Sequence, residues 1–372
     1  MRWAGQQINA ETPGVLPGLG LIAGLVRSVT TPEFRGVTFH EVLARSALNS
    51  VPGSGMPFNW TINPYRGCTH ACRYCFARPS HRYLELDQGL DFDQQIVVKT
   101  NVADVLRREL ARPSWRGEQV ALGTNTDPYQ RAEGRYRLMP GIIEALASSG
   151  TPLSILTKGT LLKRDLDLLV SSAEQVPVGL GVSLALADED LRRLVEPGVP
   201  SVRARLDLIR AVREAGLPCG VMVAPVLPWL TDSAEQIDHL LGELAEAGAT
   251  GVTTLVLHLR PGVKEWFMSW LASERPDLVK RYESLYAHGS NASPSYRNAF
   301  EDKVRPLLDK HGFGKGSRHR SRKSRPGNPT STDSTADRAG ASGPGSGSQR
   351  GIVEATGPLP AATPGPEQQA LF

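Results

Sequence analysis

Three of the four cysteines in this 372-residue chain fall within eight positions, in the stretch YRGCTHACRYCF at 65–76. Cys68, Cys72 and Cys75 are spaced C-x3-C-x2-C. Three neighbouring thiols are one ligand short of a closed tetrahedral zinc site and one more than a redox pair requires. A four-iron cluster uses three and leaves a place open. Each iron of a [4Fe–4S] unit takes one ligand from outside, so three thiolates leave one iron accessible to a substrate or cofactor. The competing reading is a zinc site completed by Cys219, His70 or His81. The triplet is an unusual half for a zinc knuckle, and Cys219 sits in an apolar run where a buried, inert thiol is the ordinary expectation.

A loop of this kind needs a scaffold. Short apolar runs recur at 59–63 (NWTIN), 120–123 (VALG), 153–157 (LSILT), 178–184 (VGLGVSL), 219–226 (CGVMVAPV) and 251–259 (GVTTLVLHL). They lack polar–apolar alternation, as expected of parallel strands buried on both faces. Helical patterns lie between them. Residues 101–111 open on an Asn101 cap and align Val102, Val105, Leu106 and Leu110. Residues 232–248 predict a capping box from Asp232 to Glu235, an apolar stripe of Ile237, Leu240, Leu241 and Leu244, and a stop at Gly248. Strand–helix alternation of this kind gives an α/β barrel or a doubly wound sheet. The cysteines follow the first run, and strand C-terminal ends are where parallel barrels carry active sites.

Hydrophobic residues make up 40% of the chain and charged residues 22%, the balance of a soluble globular protein. No stretch is long and apolar enough to cross a membrane, and LGLIAGLV at 19–26 lacks the basic lead-in of a signal peptide. A reducing, cytoplasmic setting is therefore expected, where clustered cysteines read as metal-binding or catalytic. Four segments are expected: an N-terminal extension over 1–54 with one short helix at 39–48, a catalytic domain over 55–312, a disordered basic and Gly/Pro/Ser-rich linker over 313–366, and a terminal peptide over 367–372. Nine of the 42 basic residues but only four of the 38 acidic ones lie in 310–372, so the excess positive charge sits in the tail.

The C-x3-C-x-aromatic-C pattern, with Tyr74 just before Cys75, resembles the signature of radical S-adenosylmethionine (SAM) enzymes. That resemblance implies a partial (β/α)6 TIM-type barrel with C-terminal helices. It also implies a [4Fe–4S] cluster and SAM as cofactors. SAM would chelate the open iron, and one electron would cleave it to a 5′-deoxyadenosyl radical. Tyr74 would cover the cluster. Thr124, Asn125 and Thr126 of GTNTDPY would bind the methionine amino group, Lys158 its carboxylate, and Ser183 the ribose. APVLP at 224–228 would meet adenine, with His258 and Arg260 facing a substrate. A reductant of flavodoxin or ferredoxin type is implied as partner.

Within the superfamily, NPYRGCTHACRYCFARPSHRYL, GTNTDPYQ, LTKG and VAPVLPWLTDS resemble spore photoproduct lyase-like proteins, often called DNA repair photolyases, and an actinobacterial subgroup of unsettled substrate. This implies action on damaged or modified nucleic acid. One departure matters: the hydrogen-donating cysteine that photoproduct lyases keep near the second-strand turn is missing, leaving Cys219, Tyr129 or Tyr136 as substitutes. The basic run RHRSRKSR at 318–325 could touch phosphates of DNA or RNA without sequence preference. The terminal QQALF resembles the peptide that docks bacterial repair proteins on the DNA sliding clamp, with Gln368 making polar contacts and Leu371 and Phe372 as apolar anchors. Alternatives are a radical SAM enzyme modifying tRNA or a protein, and a non-catalytic, zinc-stabilised nucleic-acid adaptor.

Overall fold

The computed structural model describes residues 22–52 and 56–314. In chain order its strands are β1 (Leu25–Thr30), β2 (Thr38–Val42), β3 (Leu48–Ser50), β4 (Trp60–Ile62), β5 (Tyr65–Arg66), β6 (Gln95–Lys99), β7 (Val120–Leu122), β8 (Leu153–Thr157), β9 (Val178–Ser183), β10 (Cys219–Val226) and β11 (Gly251–Val256). The helices are α1 (Leu90–Gln94), α2 (Val102–Leu110), α3 (Arg131–Tyr136), α4 (Leu138–Ser148), α5 (Leu166–Ala173), α6 (Glu189–Val195), α7 (Val202–Glu214), α8 (Ala234–Glu246), α9 (Val263–Glu274), α10 (Val279–Leu285) and α11 (Pro294–Lys310).

All six apolar runs form strands. β4, β7, β8, β9, β10 and β11 lie side by side in that order, each parallel to the next. The order never reverses, as it would in a doubly wound sheet. This is the progression of a (β/α)6 partial barrel. Among the described residues the ladder is open, with β11 at one edge and β3, antiparallel to β4, at the other.

Register explains how such a sheet makes room for a ligand. Ile62, Leu122, Ile155, Leu180 and Cys219 share one row across five strands. They pack in one core with Val105 and Leu106 of α2, Ile142 and Leu146 of α4, and Ile237 and Leu241 of α8. The adjacent row is Thr61, Ala121, Ser154 and Gly179, small or polar throughout. Since successive side chains point to opposite faces, the helix side is filled and the other side is left roomy. The strands do alternate, in size rather than polarity.

Residues 39–48 are not a helix. Thr38, Phe39 and Val42 are stiff, branched or aromatic residues suited to a pleated surface, and β2 finds a parallel partner in β6. A second, four-stranded sheet results, in the order β1-β2-β6-β5, with Phe39, Tyr65, Ile96 and Val98 buried together on one face. The helix caps also differ from expectation. The capping box of α8 is Ser233 with Gln236, because the Asp232 carboxylate is taken by the Trp229 N–H and the Tyr296 hydroxyl. Asn101 does not cap α2; its amide accepts from the Ala44 N–H and donates to the Ala44 carbonyl, pinning α2 to the connection between β2 and β3. Gly248 ends α8 as expected, at φ +83°.

Among the described residues no helix is long and apolar enough to cross a membrane. The linker from 315 onward, its basic run and the terminal QQALF lie outside the described residues, as do residues 1–21.

Gly123 ends β7 at φ +85°, and a Cβ there would sit 1.8 Å from the Leu156 carbonyl oxygen of the neighbouring strand. Gly216 has a similar φ of +82° but nothing within 4 Å. Thermal unfolding should therefore separate them. Gly216→Ala should lose about 1–2 kcal/mol from backbone conformation alone, whereas Gly123→Ala adds overpacking of roughly 1–3 kcal/mol. Equal losses would contradict the close β7–β8 approach.

Candidate active site

The cysteine loop leaves β5 through Gly67 at φ +78° and doubles back at Ala71, which is itself left-handed at φ +53°. Its backbone is tied down at several points. The Cys68 N–H donates to the Phe92 carbonyl at 2.9 Å, and the Arg73 N–H to the Val195 carbonyl at 2.9 Å. Arg78, wholly buried, donates to the Cys72 carbonyl from Nε at 3.2 Å and Nη2 at 3.0 Å. The same guanidinium grips both oxygens of Asp93 at 2.9 and 3.0 Å.

Cys68 and Cys72 are buried, Cys75 is partly so, and all three are free thiols. Burial, and next the Glu196 carboxylate, push Cys72 well above its ordinary value; burial pushes Cys75 to about 11. Such thiols are protonated near neutrality unless a bound group supplies positive charge, and loading that group would release protons. The donor set fits an iron–sulfur cluster. Among the described residues no three His, Cys, Asp or Glu side chains form a single-ion site, and a cluster asks for none, because each thiolate meets its own iron.

Of the proposed fourth zinc ligands, Cys219 and His81 are placed elsewhere, while His70 lies in the loop beside Cys68 and Asp127. Cys219 begins β10, whereas the cysteine loop follows β4 at the opposite, C-terminal end of the sheet; its thiol lies in the helix-side core, pushed by burial to about 12. It is equally ill-placed as a hydrogen donor. The His81 ring bonds the Gln95 carbonyl at 3.0 Å and meets the Phe92 ring edge-on. His70 Nδ1 lies 3.3 Å from Asp127 Oδ2.

The turn after β7 acts as a clamp on the cysteine loop. Gln130, wholly buried, accepts from the Thr69 N–H at 2.9 Å and donates to the Gly67 carbonyl at 3.1 Å, bracketing Cys68. Asp127 accepts from the Thr157 hydroxyl and the Lys158 N–H, both at 2.6 Å, and faces His70. Burial works against its charge, but His70 and these donors outweigh it and hold Asp127 below the usual carboxylate value. Thr126 is buried with its hydroxyl donating to the Tyr65 carbonyl at 2.9 Å. Sequence reasoning saw GTNTDPYQ as a ligand-binding turn and missed Asp127 and Gln130 as braces; their closeness to the cysteines is tertiary.

Tyr74, Lys158 and Ser183, from three separate segments, come together around a residue the sequence did not single out. Glu196 is completely buried after α6, where the chain crosses the cysteine loop so closely that a Cβ on Gly198 would lie 2.0 Å from the Thr69 oxygen. Its carboxylate accepts from the Tyr74 hydroxyl and lies 3.4 Å from Lys158 Nζ. Arg205 Nη2 is 3.0 Å from its other oxygen, at an angle too poor for a hydrogen bond, so that contact is an ion pair. Lys158 also donates to the Ser183 hydroxyl, and Arg205 to the Ser183 carbonyl at 3.0 Å. Burial alone would raise Glu196, but Arg205 and Lys158 outweigh it and bring the carboxyl to about 2. Lys158 thus already serves an internal carboxylate.

Thr124 and Asn125 line a cavity of about 1180 Å³, together with Asn63, Phe76 just past Cys75, and Arg260. The Asn63 Oδ1 is buried without a hydrogen-bond partner among the described residues. His258 does not join them; its ring bonds Asn291 Oδ1 at 2.9 Å. The Tyr129 and Tyr136 hydroxyls donate to Asp165 and Glu41.

Two outcomes follow from these braces. Gln130→Ala leaves the Gly67 carbonyl and Thr69 N–H without partners, about 1–3 kcal/mol for each buried group, and should lower iron uptake on reconstitution while far-UV circular dichroism stays native. Unchanged iron content would contradict the clamp. Glu196 is more acidic folded than at its ordinary 4.5, so it favours the native state above pH 4.5 and that contribution fades as pH falls towards 2. Glu196→Gln should flatten this part of the acid-unfolding curve and cost roughly 3–5 kcal/mol at neutral pH by stranding Arg205 and Lys158.

The geometry agrees with the comparisons. The radical SAM superfamily model matches residues 62–254, from the last residue of β4 through most of β11. The chain is 63% identical over 316 residues to the uncharacterized protein Rv2578c of Mycobacterium tuberculosis, covering 84% of this chain and 93% of that one. It is 25% identical over 205 residues to the uncharacterized protein MJ0683 of Methanocaldococcus jannaschii, covering 55% of this chain and 71% of that one. The fold matches spore photoproduct lyase complexed with dinucleoside spore photoproduct, with a TM-score of 0.57 at 18% identity over 74% of this chain and 80% of that one. With its cysteine triplet at the C-terminal edge of six parallel strands, the chain belongs to the radical SAM superfamily and is an enzyme of that class.

Proposed function

We propose that Cys68, Cys72 and Cys75 hold a [4Fe–4S] cluster and that the enzyme cleaves SAM to act on damaged or modified nucleic acid. When bound, the cluster supplies the electron that splits the sulfonium of SAM to a 5′-deoxyadenosyl radical. The observation that carries the reading is the set of three free thiols in a braced loop, two of them, Cys72 and Cys75, raised by burial so that they need a cationic group to ionise. The chain's own part is positioning. Gln130 and Arg78 fix the loop carbonyls, and Tyr74, tied to Glu196, stands between Cys72 and Cys75. Thr124 and Asn125 offer polar groups to the methionine end of SAM, Lys158 shares its ammonium between Glu196 and the ligand carboxylate, and Ser183 meets the ribose.

Nucleic acid as substrate is supported by the likeness to spore photoproduct lyase, structures of which hold AdoMet and a dinucleoside spore photoproduct. No cysteine stands in the turn after β7, so photoproduct reversal through a thiol at that place is not part of the proposal. The same reading places the enzyme in the cytoplasm with a flavodoxin or ferredoxin type reductant. It includes docking on the DNA sliding clamp through Gln368, Leu371 and Phe372, and deletion of 368–372 should abolish clamp binding.

Anaerobically purified protein should be brown and carry about four irons per chain, and Cys72→Ala should lose most of that iron. Colourless zinc protein would contradict the cluster. Reduced enzyme should form 5′-deoxyadenosine faster with lesion-bearing DNA or RNA than without; stimulation by neither would remove nucleic acid as the substrate.

A further inference from the structure

The second sheet does more than cover the barrel. Arg66 of β5 lies opposite Val97 of β6, and Val97 and Lys99 are two apart, so the three share a face. The other face carries Tyr65, Ile96 and Val98 into a small apolar core. Arg66, Val97 and Lys99 all line the 1180 Å³ cavity, joined by the exposed Arg45, Arg82 and Arg260. Among the described residues, five cations line this space and no carboxylate does.

Lys99 is the telling member. It is 6% exposed, and among the described residues its ammonium makes no hydrogen bond or ion pair. Burial, and then the Arg66 guanidinium, push it down to about 8, while Glu109 pulls it partly back. Glu109 itself is occupied with the Ala47 and Leu48 N–H groups. A buried cation with no carboxylate in ion-pair contact costs stability, and it suits a place where an anion is to be bound. Apolar rings border the same space. Phe76, 47% exposed and adjacent to Cys75, lines it with Phe58 and Tyr83. Cations beside exposed rings suit a chain of phosphates carrying flat bases. A cavity this size admits a strand or an extruded nucleotide but not a duplex.

We propose that the Lys99–Arg66 wall, with Arg45, Arg82 and Arg260, is a phosphate site that holds the backbone of a single-stranded nucleic acid beside the cysteine loop. The proposal rests on nucleic acid being the substrate and names where its backbone binds.

The test is fluorescence anisotropy of a labelled single-stranded oligonucleotide on anaerobically reconstituted full-length protein, across a salt series. Lys99→Met should weaken binding about tenfold and reduce the log–log salt slope by about 0.7, the value for one lost phosphate contact on a single strand. Its melting temperature should stay level or rise, because an unpaired buried charge has been removed. Arg45→Gln, at an exposed position, should weaken binding about threefold. Unchanged affinity in both variants would overturn the phosphate site while leaving nucleic acid as the substrate. Competition by a mononucleotide as effective as that by the unlabelled strand would overturn the strand assignment. Failure of the wild-type protein to bind any strand would overturn both readings.

Discussion

Everything in this site depends on keeping three thiols in a buried loop whose backbone cannot relax. A loop between strands is the most mobile part of a barrel, and Cys72 and Cys75, raised by burial, have no electrostatic reason to ionise there. Both problems are met by groups from outside the loop. Gln130 from the neighbouring turn and Arg78 from the following 3-10 turn saturate the carbonyls around Cys68 and Cys72. Asp127 links that turn onward to β8, so the cysteine loop, the turn after β7 and the turn after β8 form one hydrogen-bonded ring. The arrangement is preorganised before any cofactor arrives, the condition for a site that must hold a reactive species away from water.

The ion-pair cluster around Glu196 is the second support. Buried charges are weak evidence of stability, and the role of this cluster is read from the segments it joins. Glu196 joins the loop after α6 to Tyr74, to Lys158 after β8 and to Arg205 on α7. It thereby fixes an aromatic ring between Cys72 and Cys75 and an ammonium at a strand end with one carboxylate. The barrel positions the segments, and this cluster sets their distances.

The parallel strands and the cysteine loop were legible in the sequence because both are local signals. Apolar runs of four to eight residues between helical patterns specify buried strands, and C-x3-C-x2-C specifies its chemistry by spacing. Tyr74, Lys158 and Ser183 were also marked, each by its position at a strand end or beside a cysteine. Glu196, Gln130 and Asp127 were not, since a Glu in EPGVP and a Gln after DPY look like ordinary turn residues until the chain is folded. The segment at 39–48 misled for the opposite reason. Its helical spacing was real but weak, and pairing with β6, some fifty residues later, decided the outcome. Lys99 was hidden in plain view, at the end of an uncounted strand in a sheet that no local pattern announced.

The central claim is that three protein thiolates leave one iron free for the amino and carboxylate groups of SAM. It is tested most directly by hyperfine spectroscopy of the reduced enzyme with SAM labelled by ¹⁵N at the methionine amino group. The account predicts a resolved coupling between the cluster spin and the labelled nitrogen, lost on removing SAM. A reduced cluster whose spectrum is indifferent to the label, with SAM demonstrably bound, would contradict it.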